Sequence, residues 1–216
     1  MERMCDVSDK TINRLAVDFG EGAQRLHDRM ARALCCGEIE ADECRSFCGV
    51  KEARVRLKHR VGGGKAYAFT ALDKASRNIV TWHIGKRDAA STNVFIPDLR
   101  TRLLMMPTIV TDGSAPYVAA VGAKFGPSID MAQTVKNYRY KARRDDDHRY
   151  EPPRGIEFIT KRTVYGAADL RTASTAYVKR NNATLLHQVG RLRRLRYAFS
   201  RKIKNHRTAL ALATAS

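Results

Sequence analysis

Two aspartates stand where short apolar runs end, a setting that indicates metal-dependent chemistry. Asp112 follows the run at 107–111, and Asp42 follows residues 39–41 in a similar setting 70 residues earlier. An acid at the end of a strand is held rigidly and faces the crevice in which open α/β sheets bind ligands. Hard divalent cations prefer carboxylate ligands, and two such cations about 3.5–4 Å apart promote phosphodiester cleavage. We therefore predict that Asp42 and Asp112 are catalytic residues and metal ligands.

The elements that must position these aspartates alternate between strands and helices. Apolar patterns predict a strand at 39–47, a hairpin of strands at 67–72 and 79–84, and a short strand before Asp112. Helices are predicted at 91–104 and from Ser114 to about residue 124, and Ser8 is expected to cap an N-terminal helix. Residues 125–165 show no clear pattern, and the last third of the chain reads as helix. This order predicts an α/β protein with a mixed sheet and helices on its faces.

The charge balance indicates a polyanionic partner. The chain has 40 Lys and Arg against 22 acids, a formal net charge of +18. No acid follows Asp169, and that last segment carries 11 basic residues. We predict that it binds DNA phosphates through a set of five arginines. The set comprises Arg180, Arg191, Arg193, Arg194 and Arg196.

Composition narrows the class of protein further. With 216 residues and 44% hydrophobic content, the chain is expected to fold as one domain with an appendage. Its five cysteines have no Cys-x-x-Cys spacing, so a zinc site is not expected. Without a signal peptide or a long apolar run, we expect a cytosolic, reduced protein without membrane contact. A basic protein with no dedicated ligand is the alternative, and an aromatic content of 7% argues against an RNA-stacking module.

Several local stretches are similar to a known family. They are Glu40-Ala41-Asp42-Glu43, Thr111-Asp112-Gly113, Asp130-Met131-Ala132-Gln133, the stretch 174–184 with Val178-Lys179-Arg180-Asn181, and Asn205-His206-Arg207. From about Val7 onward the chain resembles bacterial DDE transposases of the insertion-sequence-one type. The resemblance implies an RNase H-like mixed sheet, Mg²⁺ as the cofactor, and DNA strand cleavage and transfer during transposition. It implies double-stranded DNA, transposon ends and target, as the partner, with a second copy of the chain as a further candidate.

The resemblance also divides the chain into two parts. Residues 1–35 correspond to a partial helix-turn-helix with a connecting helix, and residues 36–216 to the catalytic domain, truncated at both ends relative to the family. Lys10, Thr11 and Arg14 would then face a DNA groove. Because the first helix of the helix-turn-helix is largely missing, we expect sequence-specific DNA binding to be poor.

One departure from the family bears directly on activity. Where the family has Val-Glu-Arg on a late helix, this chain has Lys179, so a cation replaces the third acid. We expect Lys179 to pair with Asp42 or Asp112, weakening Mg²⁺ binding and impairing catalysis. Glu157 and Asp169 are the candidate substitute acids, but neither lies at the right place on the predicted helix. Two hypotheses therefore stand: an impaired DDE transposase, and a catalytically silent DNA-binding protein derived from one.

Overall fold

The chain folds into eleven helices and strands across the residues that a computed structural model describes, which are 6–50, 52, 55, 63–139, 155–193 and 199–215. In chain order these are α1 (Asp9–Met30), β1 (Glu38–Cys48), β2 (Gly64–Asp73), β3 (Ile79–Gly85), α2 (Ala89–Arg102), β4 (Thr108–Thr111), α3 (Ala115–Phe125), β5 (Met131–Arg139), β6 (Gly155–Tyr165), α4 (Ala176–Gln188) and α5 (Ile203–Thr214). The predicted alternation of strands and helices is confirmed.

All six strands belong to one mixed sheet in the order β3-β2-β1-β4-β5-β6. The neighbours β1–β2, β2–β3 and β5–β6 pair antiparallel. The neighbours β1–β4 and β4–β5 pair parallel. The α/β class with a mixed sheet flanked by helices is therefore as predicted, and β1 lies at its centre.

Helices cover both faces of the central strands. One face carries α2 and α3, and its core includes Phe69, Phe95 and Tyr117, whose rings contact each other at centroid distances of 5.6–6.5 Å. The other face carries α4 and α5, with Leu185 and Leu210 packed on it. Because β1 is buried on both sides, its few polar side chains must each find a partner.

Two predictions about the later half of the chain are wrong. Residues 125–165 contain the antiparallel pair β5 and β6, although β6 is exposed over most of its length and so lacks a clear apolar alternation. The last third is also not one helix, because α4 ends at Gln188 and the chain turns through Gly190. Arg191 and Arg193 follow that turn, whereas Arg194 and Arg196 lie outside the described residues.

The N-terminal helix is longer than a helix-turn-helix element and packs on the sheet domain. Ser8 caps it as predicted, its Oγ accepting the Thr11 N–H at 3.3 Å. At Gly20 an added Cβ would lie 2.5 Å from Cβ of Thr208, so only glycine allows α1 to approach α5 this closely. No helix precedes α1 in the described part of the chain, so the helix-turn-helix remnant is not confirmed. Across those same residues, no helix is both long and apolar enough to cross a bilayer.

Candidate metal centre

The parallel pairing of β1 with β4 brings the two predicted aspartates together. The register places Ala41 opposite Thr111, so Asp42 and Asp112 are the next residues along both strands. β4 ends at Thr111, whereas β1 continues to Cys48. The two carboxylates therefore lie at the point where β4 ends and β1 continues, paired only with β2. The predicted proximity of Asp42 and Asp112 is observed. Whether they are catalytic stays a prediction.

The third acid of this cluster is Glu43, which the sequence analysis did not predict. One carboxylate oxygen each from Asp42, Glu43 and Asp112 lies within 4.8 Å of the others. Consecutive strand residues point to opposite faces, so Asp42 faces α4 while Glu43 accepts a hydrogen bond from the Tyr117 hydroxyl of α3 at 3.1 Å. Asp112 is the first residue after β4 ends, so its side chain is not confined to one face of the sheet. Its carboxylate therefore lies close to both Asp42 and Glu43.

The substitute acids weighed from the sequence lie elsewhere. Glu157 is on the exposed strand β6, and Asp169 pairs with Arg171 in a turn. The available signal for Glu43 was its place directly after Asp42 at the end of a buried run. Strand alternation by itself predicts that the side chains of Asp42 and Glu43 point to opposite faces of the sheet.

Asp112 is held by backbone and amide groups around the turn after β4. The Ser114 N–H donates to Asp112 Oδ1 at 2.9 Å, and the Gln133 amide donates to the Asp112 carbonyl at 2.9 Å. Ser114 precedes α3 as predicted but forms no side-chain cap. The turn therefore fixes the direction of the Asp112 carboxylate, whose other oxygen, Oδ2, accepts from Arg87 Nη2 at 2.9 Å.

Lys179 occupies one side of the cluster, and its predicted ion pair is confirmed. Its Nζ lies 2.9 Å from Asp42 Oδ1, and the Asn182 amide donates to Asp42 Oδ2 at 3.3 Å. Lys179 is placed by the start of α4, where buried Glu40 accepts the Val178 N–H at 2.9 Å. A carboxylate at a helix N-terminus satisfies free N–H groups there, so Glu40 anchors the helix that carries Lys179.

Arg87 occupies the other side of the cluster and was not predicted. It lies between β3 and α2, and its guanidinium pairs with Glu43 and, at 2.9 Å, with Asp112 Oδ2. Lys179 and Arg87 together therefore place two positive charges against three carboxylates. In the described structure these side chains stand where a bound cation would compensate the same acids.

Burial makes the carboxylates resist ionisation. Burial, followed by the charge of Asp112, raises the pKa of Glu43 to about 7 and outweighs the opposing Arg87. Burial likewise raises the pKa of Asp42, although Lys179 acts in the opposite direction. A buried acid cluster of this kind gains from any cation that enters it, so its electrostatics favour binding a positive ion.

The donor set fits a hard divalent cation. Mg²⁺ and similar ions take carboxylate oxygens, and the three acids offer them from two adjacent strands. An open crevice of about 600 Å³ lies alongside, lined among others by Asp112, Lys179, Lys136 and Tyr138. The site therefore combines carboxylate ligands with an adjacent crevice that is lined by Lys136 and Lys179 and is large enough for a phosphate group and its neighbours.

The residues predicted to bind DNA lie on α1, on α4 and in the segment after α4. Lys10 and Arg14 are exposed on α1, whereas Thr11 is half-buried and its hydroxyl contacts Ser8 Oγ at 3.1 Å. Arg191 is partly committed to the fold, since it donates to Asn13 Oδ1 at 3.1 Å.

Of the five predicted arginines, only Arg180, Arg191 and Arg193 lie within the described residues. Arg180 is exposed directly after Lys179, and Arg193 is half-buried.

Comparison with known proteins finds no family model that matches the sequence and no curated protein that is significantly similar to it. The inference of function therefore rests on the geometry of the carboxylate cluster.

Proposed function

We propose that the chain is a DDE-type transposase with an RNase H-like fold, built for Mg²⁺-dependent cleavage and transfer of DNA strands and impaired in this copy. The observation that carries the proposal is the meeting of Asp42, Glu43 and Asp112 where β4 ends beside the parallel strand β1. The sheet supports it, because β1, β2 and β3 pair antiparallel while β4 and β5 run parallel to β1. The net charge of +18 suits a DNA substrate.

The three acids would share the work of holding the cofactor. Asp42 offers an oxygen from within β1 and Asp112 from just beyond the end of β4, and Glu43 reaches the same point from the opposite face of the sheet. When bound, divalent ions activate the attacking oxygen and stabilise the leaving oxygen of a phosphodiester. Lys136 and Arg180 would orient the DNA backbone at the crevice, since Lys136 lines it and Arg180 is exposed beside Lys179.

The impairment follows from the cations already in the site. Lys179 is 32% exposed and pairs with an Asp42 side chain that is only 9% exposed. Two opposite charges about 4 Å apart attract by roughly 4 kcal/mol at an effective dielectric constant of 20. A metal ion must displace that interaction, as well as the Arg87 contacts, before the acids become ligands. We therefore expect weak Mg²⁺ binding by the unmodified chain.

Calorimetric titration with Mg²⁺ and Mn²⁺ tests the site directly. Asp42→Asn, Glu43→Gln and Asp112→Asn should each reduce metal affinity at least tenfold, because each removes one charged oxygen ligand. Glu157→Gln is the matched control, since Glu157 is an exposed acid on β6. Metal binding that survives in Asp112→Asn, or falls equally in the control, would contradict the proposed centre.

A second candidate function is a catalytically silent DNA-binding protein of the same fold. The Lys179–Asp42 ion pair of 2.9 Å favours it, because the chain satisfies its own acid without a metal. Supercoiled-plasmid nicking separates the two hypotheses. A transposase-type enzyme should nick DNA with Mn²⁺ or Mg²⁺ and lose this activity in Asp42→Asn, whereas a silent binder should retain DNA affinity and show no nicking in either form.

A further inference from the structure

An apolar line runs along one side of α1 and faces solvent. Leu15, Phe19, Leu26 and Met30 are 44%, 68%, 50% and 71% exposed. They are separated by four, seven and four residues, close to whole turns of an α-helix, so they form one line about 22 Å long. We call these four residues the α1 stripe.

The stripe runs beside the face by which α1 joins its own domain, and Leu26 and Met30 also line the cavity of about 500 Å³ between α1 and the β2–β3 turn. Gly20 and His27 are the buried residues of α1. Gly20 lies against α5, and His27 Nε2 lies 2.9 Å from the Ile79 carbonyl of β3. In the part of the chain that the structure describes, the stripe residues stay exposed while this other face is covered. Single exposed apolar residues are ordinary, but a continuous helical line of them is typical of a contact surface.

The electrostatics of α1 identify which partner suits the stripe. The helix carries four acids and four Lys or Arg within a chain of net charge +18. DNA phosphates would select a basic surface, which this helix does not offer. A second copy of the chain, by contrast, can approach here without the repulsion that its basic surfaces would cause elsewhere.

We propose that the α1 stripe is the contact surface of a homodimer in which two α1 helices pack antiparallel about a two-fold axis near Gly22. In this pairing Leu15 of one copy lies opposite Met30 of the other, and Phe19 lies opposite Leu26. Every large side chain of the stripe then meets another large side chain. Symmetric dimers use the same patch on both copies, and the spacing of the stripe is self-complementary in this sense.

The middle of the stripe lets the two helices approach closely. Gly22 and Ala23 lie between Phe19 and Leu26, and they oppose each other across the axis. A Cβ added to Gly22 would meet only Arg25 Nη2, at 3.9 Å, so the space beside it is open in the monomer. Small residues at a helix crossing permit a short interaxial distance, which brings the flanking large side chains into contact.

Charges beside the stripe decide the orientation of the pair. Asp18, Arg25 and Arg29 lie on one flank of the stripe and are exposed. None of them forms an ion pair within the described residues. An antiparallel pair places Asp18 of one copy between Arg25 and Arg29 of the other, and symmetry repeats this contact. A parallel two-fold pair would instead put this flank of the two copies on opposite sides of the interface, so these contacts between opposite charges would not form.

Sedimentation velocity of nuclease-treated protein over a concentration series tests the dimer. The contact is small, so we expect a monomer–dimer equilibrium in the micromolar range. Phe19→Asp with Leu26→Asp should weaken it at least tenfold. Leu104→Asp is the control, because Leu104 is 67% exposed in the loop after α2. A chain that stays monomeric up to about 1 mM, or a double variant that dimerises like the control, would overturn the proposal.

A charge exchange distinguishes loss of the interface from loss of the fold. Asp18→Arg alone should weaken the dimer, because it then faces two arginines of the partner. Adding Arg25→Asp and Arg29→Asp should restore it, since the contacts become opposite in sign again. Failure of this rescue, with circular dichroism unchanged, would show that the flanks do not meet.

Cysteine cross-linking tests the orientation, in chains where Cys5 and the exposed Cys35 are both replaced by serine. A mixture of Leu15→Cys and Met30→Cys chains should form a disulfide-linked heterodimer. Neither variant should cross-link efficiently to itself. Self-cross-linking of Leu15→Cys without the mixed product would indicate a parallel pair and overturn the antiparallel arrangement.

Discussion

Replacing Lys179 with glutamate should convert a self-neutralised acid cluster into a metal site. The substitution removes a positive charge 2.9 Å from Asp42 and places a carboxylate at the same point of α4. Without metal, four acids would then face one another with Arg87 as their nearest cation. We expect Lys179→Glu to unfold at a lower temperature than the unmodified protein when no divalent ion is present.

The gain in metal affinity has two parts. Removing the ammonium relieves a competing attraction of roughly 4 kcal/mol before desolvation is counted, and solvent screening at the partly exposed Lys179 lowers this to about 1 kcal/mol. Adding a ligand supplies a fourth charged oxygen. We expect the dissociation constant for Mg²⁺ to fall about 10- to 100-fold, equivalent to about 1.4–2.8 kcal/mol. Lys179→Ala should show only the first part, because it relieves the charge without providing a ligand.

Calorimetry and thermal unfolding measure this change together. Mg²⁺ should raise the unfolding temperature of Lys179→Glu strongly and that of the unmodified chain little, because a ligand that binds only the native state stabilises it by an amount that grows with the ratio of ligand concentration to Kd. Lys124→Glu is the matched control, since it makes the same charge change at an exposed site on α3. If the unmodified chain already binds Mg²⁺ as tightly as Lys179→Glu, or if Lys124→Glu gains as much, the reasoning is refuted.

Three further predictions concern single contacts. The pKa of Glu43 is raised from 4.5 to about 7, so between these pH values the native state binds more protons than the unfolded state, and stability falls as pH rises. Glu43→Gln should remove on the order of 1–3 kcal/mol of this pH dependence, measured by urea unfolding. An unchanged pH profile would mean that the Glu43 carboxyl is solvated and not buried. Gly20→Ala should destabilise the protein by about 1–3 kcal/mol, because the added Cβ would overlap Thr208. Gly22→Ala, measured on dilute protein, should stabilise it by about 0.5–1 kcal/mol, because alanine favours helix more than glycine does. Equal effects of the two variants would mean that α1 does not approach α5 closely. Arg180→Ala should lower the salt dependence of DNA affinity by about one phosphate contact in anisotropy titrations without altering stability, and an unchanged slope would place the DNA elsewhere.

The sequence by itself determined the class of the fold and half of the site. Apolar runs with clear ends predicted β1, the β2–β3 hairpin and β4, because buried central strands carry a dense local signal. The parallel neighbours β1 and β4 then brought Asp42 and Asp112 together at one edge. The Lys179 ion pair was also predictable, since a cation that replaces an acid beside an aspartate has an obvious partner.

The tertiary structure decided the rest, for reasons that no local pattern contains. Glu43 joins the cluster only because β4 stops at Thr111 while β1 continues, so that side chains from both faces meet around a strand end. Arg87 arrives from a loop whose path is set by packing of α2 on the sheet. β6 was not predicted because it is exposed over most of its length and so lacks a clear apolar alternation, and β5 is buried only in its first half. Strand alternation is a property of the sequence, but where a strand loses its neighbour is a property of the assembled sheet.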